Sequence, residues 1–177
     1  MSRLLRIAFF TSAATDVAAT ARAASALSGL VDIEAYLHDQ VDNRRLLEIA
    51  DNTDLCLVRV LGGKKAWPEG LDVLKEKSHT IGRPSHLVVV TGTGELDSSA
   101  LELSTAPAEV VVAVNSYLSE GGPWNLAQAV RFLLAQVCGE AVEYRPPLRV
   151  PGCGIVELKD LGGYGDTAAP PKPVFYR

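Results

Sequence analysis

Leu55 to Leu61 is an unbroken run of Leu, Cys and Val apart from Arg59, and it constrains the fold more than any other stretch. A strand half-covered by solvent would alternate apolar with polar, so such continuity predicts a strand buried on both faces, near the middle of a parallel sheet. The run breaks at Gly62-Gly63, crosses Trp67-Pro68 and re-enters a helical pattern from Leu71 to about Lys77, with Gly70 preceding the helix. A strand, a glycine-rich corner and a helix are what a βα unit requires, and ligands of α/β sheets bind at the carboxyl ends of strands.

Three further strands fit the same rhythm. Arg6 to Phe10 is a short apolar run, after which Asp16 is placed to cap an Ala-rich helix from Val17 to Leu27 that stops at Ser28-Gly29. Val31 to Leu37 reads as the next strand. Asp42 is then placed to cap a helix through Asn52, with Leu46, Leu47, Ile49 and Ala50 on one side. His86 to Val90 is strongly β-branched and ends at Thr91-Gly92-Thr93-Gly94, and Asp97 follows as the cap of a short helix through Leu103. Strands alternating with helices predict an α/β fold: a Rossmann-like or flavodoxin-like open parallel sheet of four to five strands, doubly wound.

From Ala108 the pattern becomes helical. Ala108 to Leu118 and Pro123 to Val137 are periodic apolar stretches joined by Ser119-Glu120-Gly121-Gly122, with Gly121 set for a C-cap and Pro123 for a helix start. A helical hairpin packed on the sheet is expected. Residues 141–177 are rich in Pro and Gly, and only Gly154 to Leu158 has strand character. The expected organisation is therefore an α/β head domain at 1–140 and an irregular tail and linker at 141–177. The apolar ending Val174-Phe175-Tyr176-Arg177 is expected to open a following domain of a longer polypeptide.

Composition removes several function classes. A net charge of −4, with acidic and basic residues mixed, supplies no basic stripe for nucleic acid. No run approaches the roughly 20 apolar residues of a membrane span. Arg6 and Thr11-Ser12 interrupt the start too early for a signal peptide, and a cytoplasmic location is expected. Cys56, Cys138 and Cys153 lack metal-ligand spacing and are expected as buried free thiols. His38, His79 and His86 are scattered, with no HxxxH or HxxE spacing, so no metal site is expected. There is no GxSxG and no nucleophile motif. Gly92-Thr93-Gly94 lacks the third glycine of a dinucleotide fingerprint and the lysine of a P-loop, which makes an ordinary βα turn the simpler reading. Lys64-Lys65 reads first as a solvated loop. Arg59 must reach water or a carboxylate, and an ion pair is the first expectation. Trp67 and Trp124 beside turns either pack or wall a pocket. Asp97, Ser104 and Thr105 read as helix-terminus residues. No set of residues forms a catalytic constellation.

Three phrases, VRVLGGKKAWPEGLDVL (58–74), VVVTGTGELDSSALELSTAP (88–107) and NSYLSEGGPWNLAQAVRFLL (115–134), together resemble the amino-terminal region of the cobaltochelatase large subunit, in matching order and spacing. The resemblance runs from Ile7 to Arg177. It implies a subunit that binds a corrin-ring precursor, hydrogenobyrinic acid a,c-diamide, and Co²⁺, with ATP and Mg²⁺ handled by separate AAA+ partner subunits, in aerobic cobalamin biosynthesis. Metal insertion needs carboxylate and imidazole groups at the ring, and the resemblance places these downstream of Arg177, in a region of roughly a thousand residues. The segment itself is then expected to hold no cofactor and to be inactive alone. The alternatives are a stand-alone flavodoxin-like or cobalamin-binding-like module, the latter without its DxHxxG motif, and the head domain of a magnesium-chelatase large subunit. If the head domain contacts ligand, the candidates are the carboxyl ends of the third and fourth strands: Arg59, Gly62, Gly63, Trp67, Gly92 and Thr93.

Overall fold

The structure is a computed structural model that describes residues 3–80, 85–91 and 98–149. Its centre is a four-stranded, wholly parallel sheet in the order β2-β1-β3-β4, formed by β1 (Leu5–Thr11), β2 (Val31–Leu37), β3 (Leu55–Arg59) and β4 (His86–Val90). The helices are α1 (Ala14–Ala26), α2 (Asn43–Asp51), α3 (Pro68–Ser78), α4 (Ser98–Leu103), α5 (Ala108–Glu120) and α6 (Gly122–Gln136). The α/β doubly wound fold expected from the sequence is the one observed. No described helix is long and apolar enough to cross a membrane.

Period-two alternation divides the sheet's side chains between two cores. Ile7, Phe9, Leu55, Leu57, Val88 and Val90 face α1, α5 and α6, whereas Ala8, Phe10, Cys56, Val58, Leu87 and Val89 face α2, α3 and α4. Because β1 and β3 are interior strands with helices on both sides, neither face offers a polar position, and the unbroken apolar run at Leu55 follows from that. Phe9, Phe10, Leu55, Leu57 and Val58 are fully buried, each contributing about 1.5–3 kcal/mol relative to an exposed state.

Local signals account for most boundaries. Asp42 caps α2 by accepting from the Arg45 amide at 2.7 Å. Pro68 occupies the first turn of α3, where its missing N–H leaves no bond unmade. Several expectations are corrected. Asp16 does not cap α1: the helix starts earlier, behind Ala13, and the Asp16 carboxylate turns inward to other partners. α3 begins before Gly70 rather than after it, and β3 ends at Arg59 rather than Leu61. Leu47 is exposed on α2, and Cys138 is only partly buried. Asp97, Cys153 and the strand expected at Gly154 to Leu158 lie outside the described residues.

The outer edge of β4 is closed by hydroxyls. Ser104 Oγ accepts from the Val89 amide at 2.9 Å and donates to the Ala100 carbonyl at 2.7 Å. Thr105 Oγ1 accepts from the Leu87 amide at 2.9 Å, and its own amide donates to the Leu87 carbonyl at 2.8 Å. The helix-terminus reading of Ser104 was therefore half of its role, since the same hydroxyl also stands in for a missing strand. Ser104→Ala strands the Val89 N–H and is expected to cost about 1–3 kcal/mol. Urea denaturation measures it, and an unchanged midpoint would mean that solvent supplies the acceptor.

Candidate functional site

In the order β2-β1-β3-β4 the chain leaves β1 to one side through α1 and later crosses to the other side to form β3, so the switch point lies between the carboxyl ends of β1 and β3. A small ligand of an open α/β sheet is expected there. What occupies it is a network of the protein's own side chains. Thr11 and Arg59 are paired across β1 and β3, on the face that packs against α1, and both reach Asp16 in the first turn of that helix. Arg59 donates to Asp16 Oδ1 at 2.8 Å and Thr11 Oγ1 donates to Oδ2 at 2.6 Å. The Ser12 amide donates to the Arg59 carbonyl at 3.2 Å and the Leu61 amide to Ser12 Oγ at 3.3 Å, which joins the two loops across the crevice.

The ion pair is largely withdrawn from water, with side-chain exposures of 16% for Arg59 and 12% for Asp16. Its bonds are charge-assisted, yet both ions have been desolvated, so the pair defines geometry more than it adds net stability. It also places a carboxylate where the α1 amino terminus would otherwise attract an anion. Arg59→Met leaves Asp16 buried and uncompensated and is expected to cost about 3–5 kcal/mol. The double replacement Asp16→Leu with Arg59→Met should cost less than the single one. Chemical denaturation of the three variants gives the coupling, and additive losses would remove the pair as the determinant.

The opposite face of the same rim is aromatic. After β3 the chain turns at Gly62 and Gly63, whose φ values of 94° and 63° lie where only glycine is unstrained. A 3-10 turn at Gly63–Ala66 then delivers Trp67. Its ring packs 5.5 Å from Phe10 and 5.2 Å from His38, and Phe10 stacks on Tyr36 at 5.6 Å, so four rings are joined by contact: Tyr36 and His38 at the end of β2, Phe10 in β1 and Trp67 in the loop after β3. Gly70 makes the arrangement possible: a Cβ there would lie 1.9 Å from Trp67 Cε2. Gly70 is thus a seat for the indole, not the helix-start signal read from the sequence.

Tyr36 donates to the Glu34 carboxylate, and burial, followed by that bond, pushes its phenol up to about 12. It acts as a neutral donor. Beyond Trp67 the rim carries Leu61, 49% exposed, and two lysines, of which Lys64 pairs with Asp72 at 2.8 Å. Trp67 is thus a half-buried flat ring, and Leu61, Lys64 and Lys65 precede it in the same loop.

Of the residues selected from the sequence, Gly62, Gly63 and Trp67 form one loop at the rim. Arg59 is adjacent in sequence but faces α1 and is committed to Asp16, on the other side of the sheet from Trp67. Gly92 and Thr93 lie outside the described residues. Sequence reasoning missed Phe10, Tyr36 and His38 as Trp67's neighbours. The register Phe10 against Tyr36 brings them together, and only the paired strands reveal it.

Among the described residues no group of three or more His, Cys, Asp or Glu side chains is placed to hold a metal. Burial pushes the Cys56 thiol up to about 12, and burial with the nearby Asp54 and Glu140 carboxylates pushes Cys138 up to about 11, so neither is an activated thiolate. At pH 8, alkylation of Cys56 is expected to proceed only as fast as the protein opens, read by mass spectrometry of the Cys56 peptide. Modification at the rate of a free thiol would contradict the burial.

The sequence matches no protein-family model and no curated protein. Among solved structures it is similar to the catalytic subunit of cobaltochelatase from Mycobacterium tuberculosis, with a TM-score of 0.69 and 22% identity over 86% of this chain. The chain spans 12% of the length of that subunit. At this identity the likeness establishes a shared fold.

Proposed function

We propose that the chain is the amino-terminal head domain of the large, tetrapyrrole-binding subunit of an ATP-dependent cobaltochelatase, a scaffold that contributes one wall of the corrin site while the metal-handling groups lie elsewhere in the subunit. The observation that carries this reading is the fold shared over 86% of the chain with a cobaltochelatase catalytic subunit. It is supported by the structural roles of the three phrases that carry the family resemblance. Residues 58–74 include the end of β3, the glycine turn and the Trp67 seat; residues 88–107 include part of β4, α4 and the hydroxyl plug; residues 115–134 cover the turn of the α5–α6 hairpin.

On this reading Co²⁺ and the corrin precursor hydrogenobyrinic acid a,c-diamide are substrates of the whole subunit, and ATP with Mg²⁺ is consumed by AAA+ partners. This chain's part is to present the Trp67 ring as a flat apolar surface and Lys65 as a counter-charge for ring carboxylates, next to Lys64, which Asp72 already holds at 2.8 Å. Tyr36, held neutral, and the sealed Asp16–Arg59 pair keep that surface in place rather than react.

The strand order also favours a second reading, a stand-alone flavodoxin-like module. Against it stands Asp16, whose carboxylate occupies the place where such a module would receive a phosphate.

Titration of the protein with the corrin precursor is expected to quench Trp67 emission, and Trp67→Ala to weaken binding about tenfold, the scale of one aromatic contact. Circular dichroism must show the variant folded. Unchanged affinity would remove Trp67 from the site, and cobalt insertion by this chain unaided would end the scaffold reading.

A further inference from the structure

The segment after α6 is held by side chains that bind its main chain. Asn125, Gln128 and Arg131 are spaced three residues apart and so lie along one side of α6. Arg131 donates to the Glu143 carbonyl at 3.5 Å, Gln128 Oε1 accepts from the Arg145 amide at 2.7 Å, and Asn125 bonds both backbone groups of Leu148, accepting from its N–H at 2.8 Å and donating to its carbonyl at 3.0 Å. From α5, the Tyr117 hydroxyl donates to the Arg145 carbonyl at 2.6 Å. Between the two amides so bound lie Pro146 and Pro147, which have no N–H. Every main-chain donor from 145 to 148 is thereby either absent or satisfied, without a strand or helix in that segment. Asn125 and Tyr117 are each 2% exposed, so both need these partners.

The direction of the segment follows from its contacts. α1 leaves the carboxyl end of β1 and returns to the start of β2, so its last residues lie at the sheet's amino end. Arg131 donates to the Ala26 carbonyl there at 3.1 Å. α6 therefore descends from the rim, and its first turn, where Asn125 also donates to the Gly121 carbonyl at 2.9 Å, lies at the rim. Tyr144 meets Gln136 near the foot of α6 and Leu148 meets Asn125 near its head. The segment climbs back.

We propose that the α5–α6 hairpin is a binding face for an extended, proline-containing peptide, that its occupant is residues 143–149 of this same chain, and that the docking returns the polypeptide to the carboxyl rim of the sheet. The folded unit then includes residues 143–149, past the boundary expected at residue 140. The face reads mostly main chain, with the Tyr144 side chain held as well by Gln136 at 3.2 Å and edge-on by Phe132 at 5.1 Å, so its preference is for a conformation, an extended segment with prolines where no acceptor is offered, and for an aromatic residue at its start. This inference does not depend on the chelatase reading.

Amide exchange on the whole protein tests it. The Arg145 and Leu148 amides are expected to exchange at least roughly tenfold more slowly than in the free peptide, as bonds worth about 1.4 kcal/mol or more would impose. Asn125→Ala should release Leu148 while Val58 and Val89 stay protected. Should that variant not fold, Gln128→Ala, at a half-buried position, should release Arg145. A nitroxide at Arg149→Cys, with Cys138 and Cys153 replaced by serine, should broaden Ser119 and Glu120 more than Val137 and Gly139. Free-peptide exchange at both amides, broadening centred on Gly139, or protection that appears only as a dimer forms would each overturn the proposal.

Discussion

The fold depends on the burial of β1 and β3 from both sides. Two interior strands with helices above and below cannot alternate apolar with polar, and the two cores that result, one under α1, α5 and α6 and the other under α2, α3 and α4, share no residues and meet only through the sheet. Polar groups are consequently pushed to the strand ends. Arg59 and Thr11 are the first polar residues past the covered stretch, and their ends form the rim.

The rim has two unlike halves because successive residues of a strand point to opposite faces. Towards α1, Asp16, Thr11 and Arg59 satisfy one another and fill the place where many sheets of this order receive a ligand. Towards α2 and α3, the same strands end in Phe10 and Tyr36, with Trp67 folded back over Gly70. One half is shut by charge pairing, whereas the other offers an aromatic surface beside Leu61 and the two lysines. On the proposed reading this half holds a flat ligand, and neither described cysteine is an activated thiolate.

Much of this was legible in the sequence wherever one residue type has one strong local consequence. Asp42 announced its helix, the run from Leu55 its buried strand, and Ser119 to Pro123 the turn of a helical hairpin. The reading failed where a side chain works at a distance. Asp16 looked like a cap because acids favour first turns, but its partner Arg59 is 43 residues away and becomes a neighbour only through the β1–β3 pairing. Gly70 looked like punctuation, although Trp67 stands only three residues before it, the local spacing that places an indole against it. Within the irregular tail expected from 141, Asn125 and Gln128 bond Leu148 and Arg145 from a helix, contacts that no hydrophobic periodicity announces. The repeat of amide side chains three apart on α6 was the available signal.

The hydroxyl plug gives the sheet a sidedness. With Ser104 and Thr105 bonded to Leu87 and Val89, the β4 flank has those main-chain groups already engaged and resists extension. A neighbouring domain that continued the hydrogen-bonded ladder would have to join along β2, where Asp32 and Glu34 stand exposed and would demand basic or small companions. Growth of the ladder is thus blocked along this stretch of β4 and left to β2, like a tile glazed along a single border.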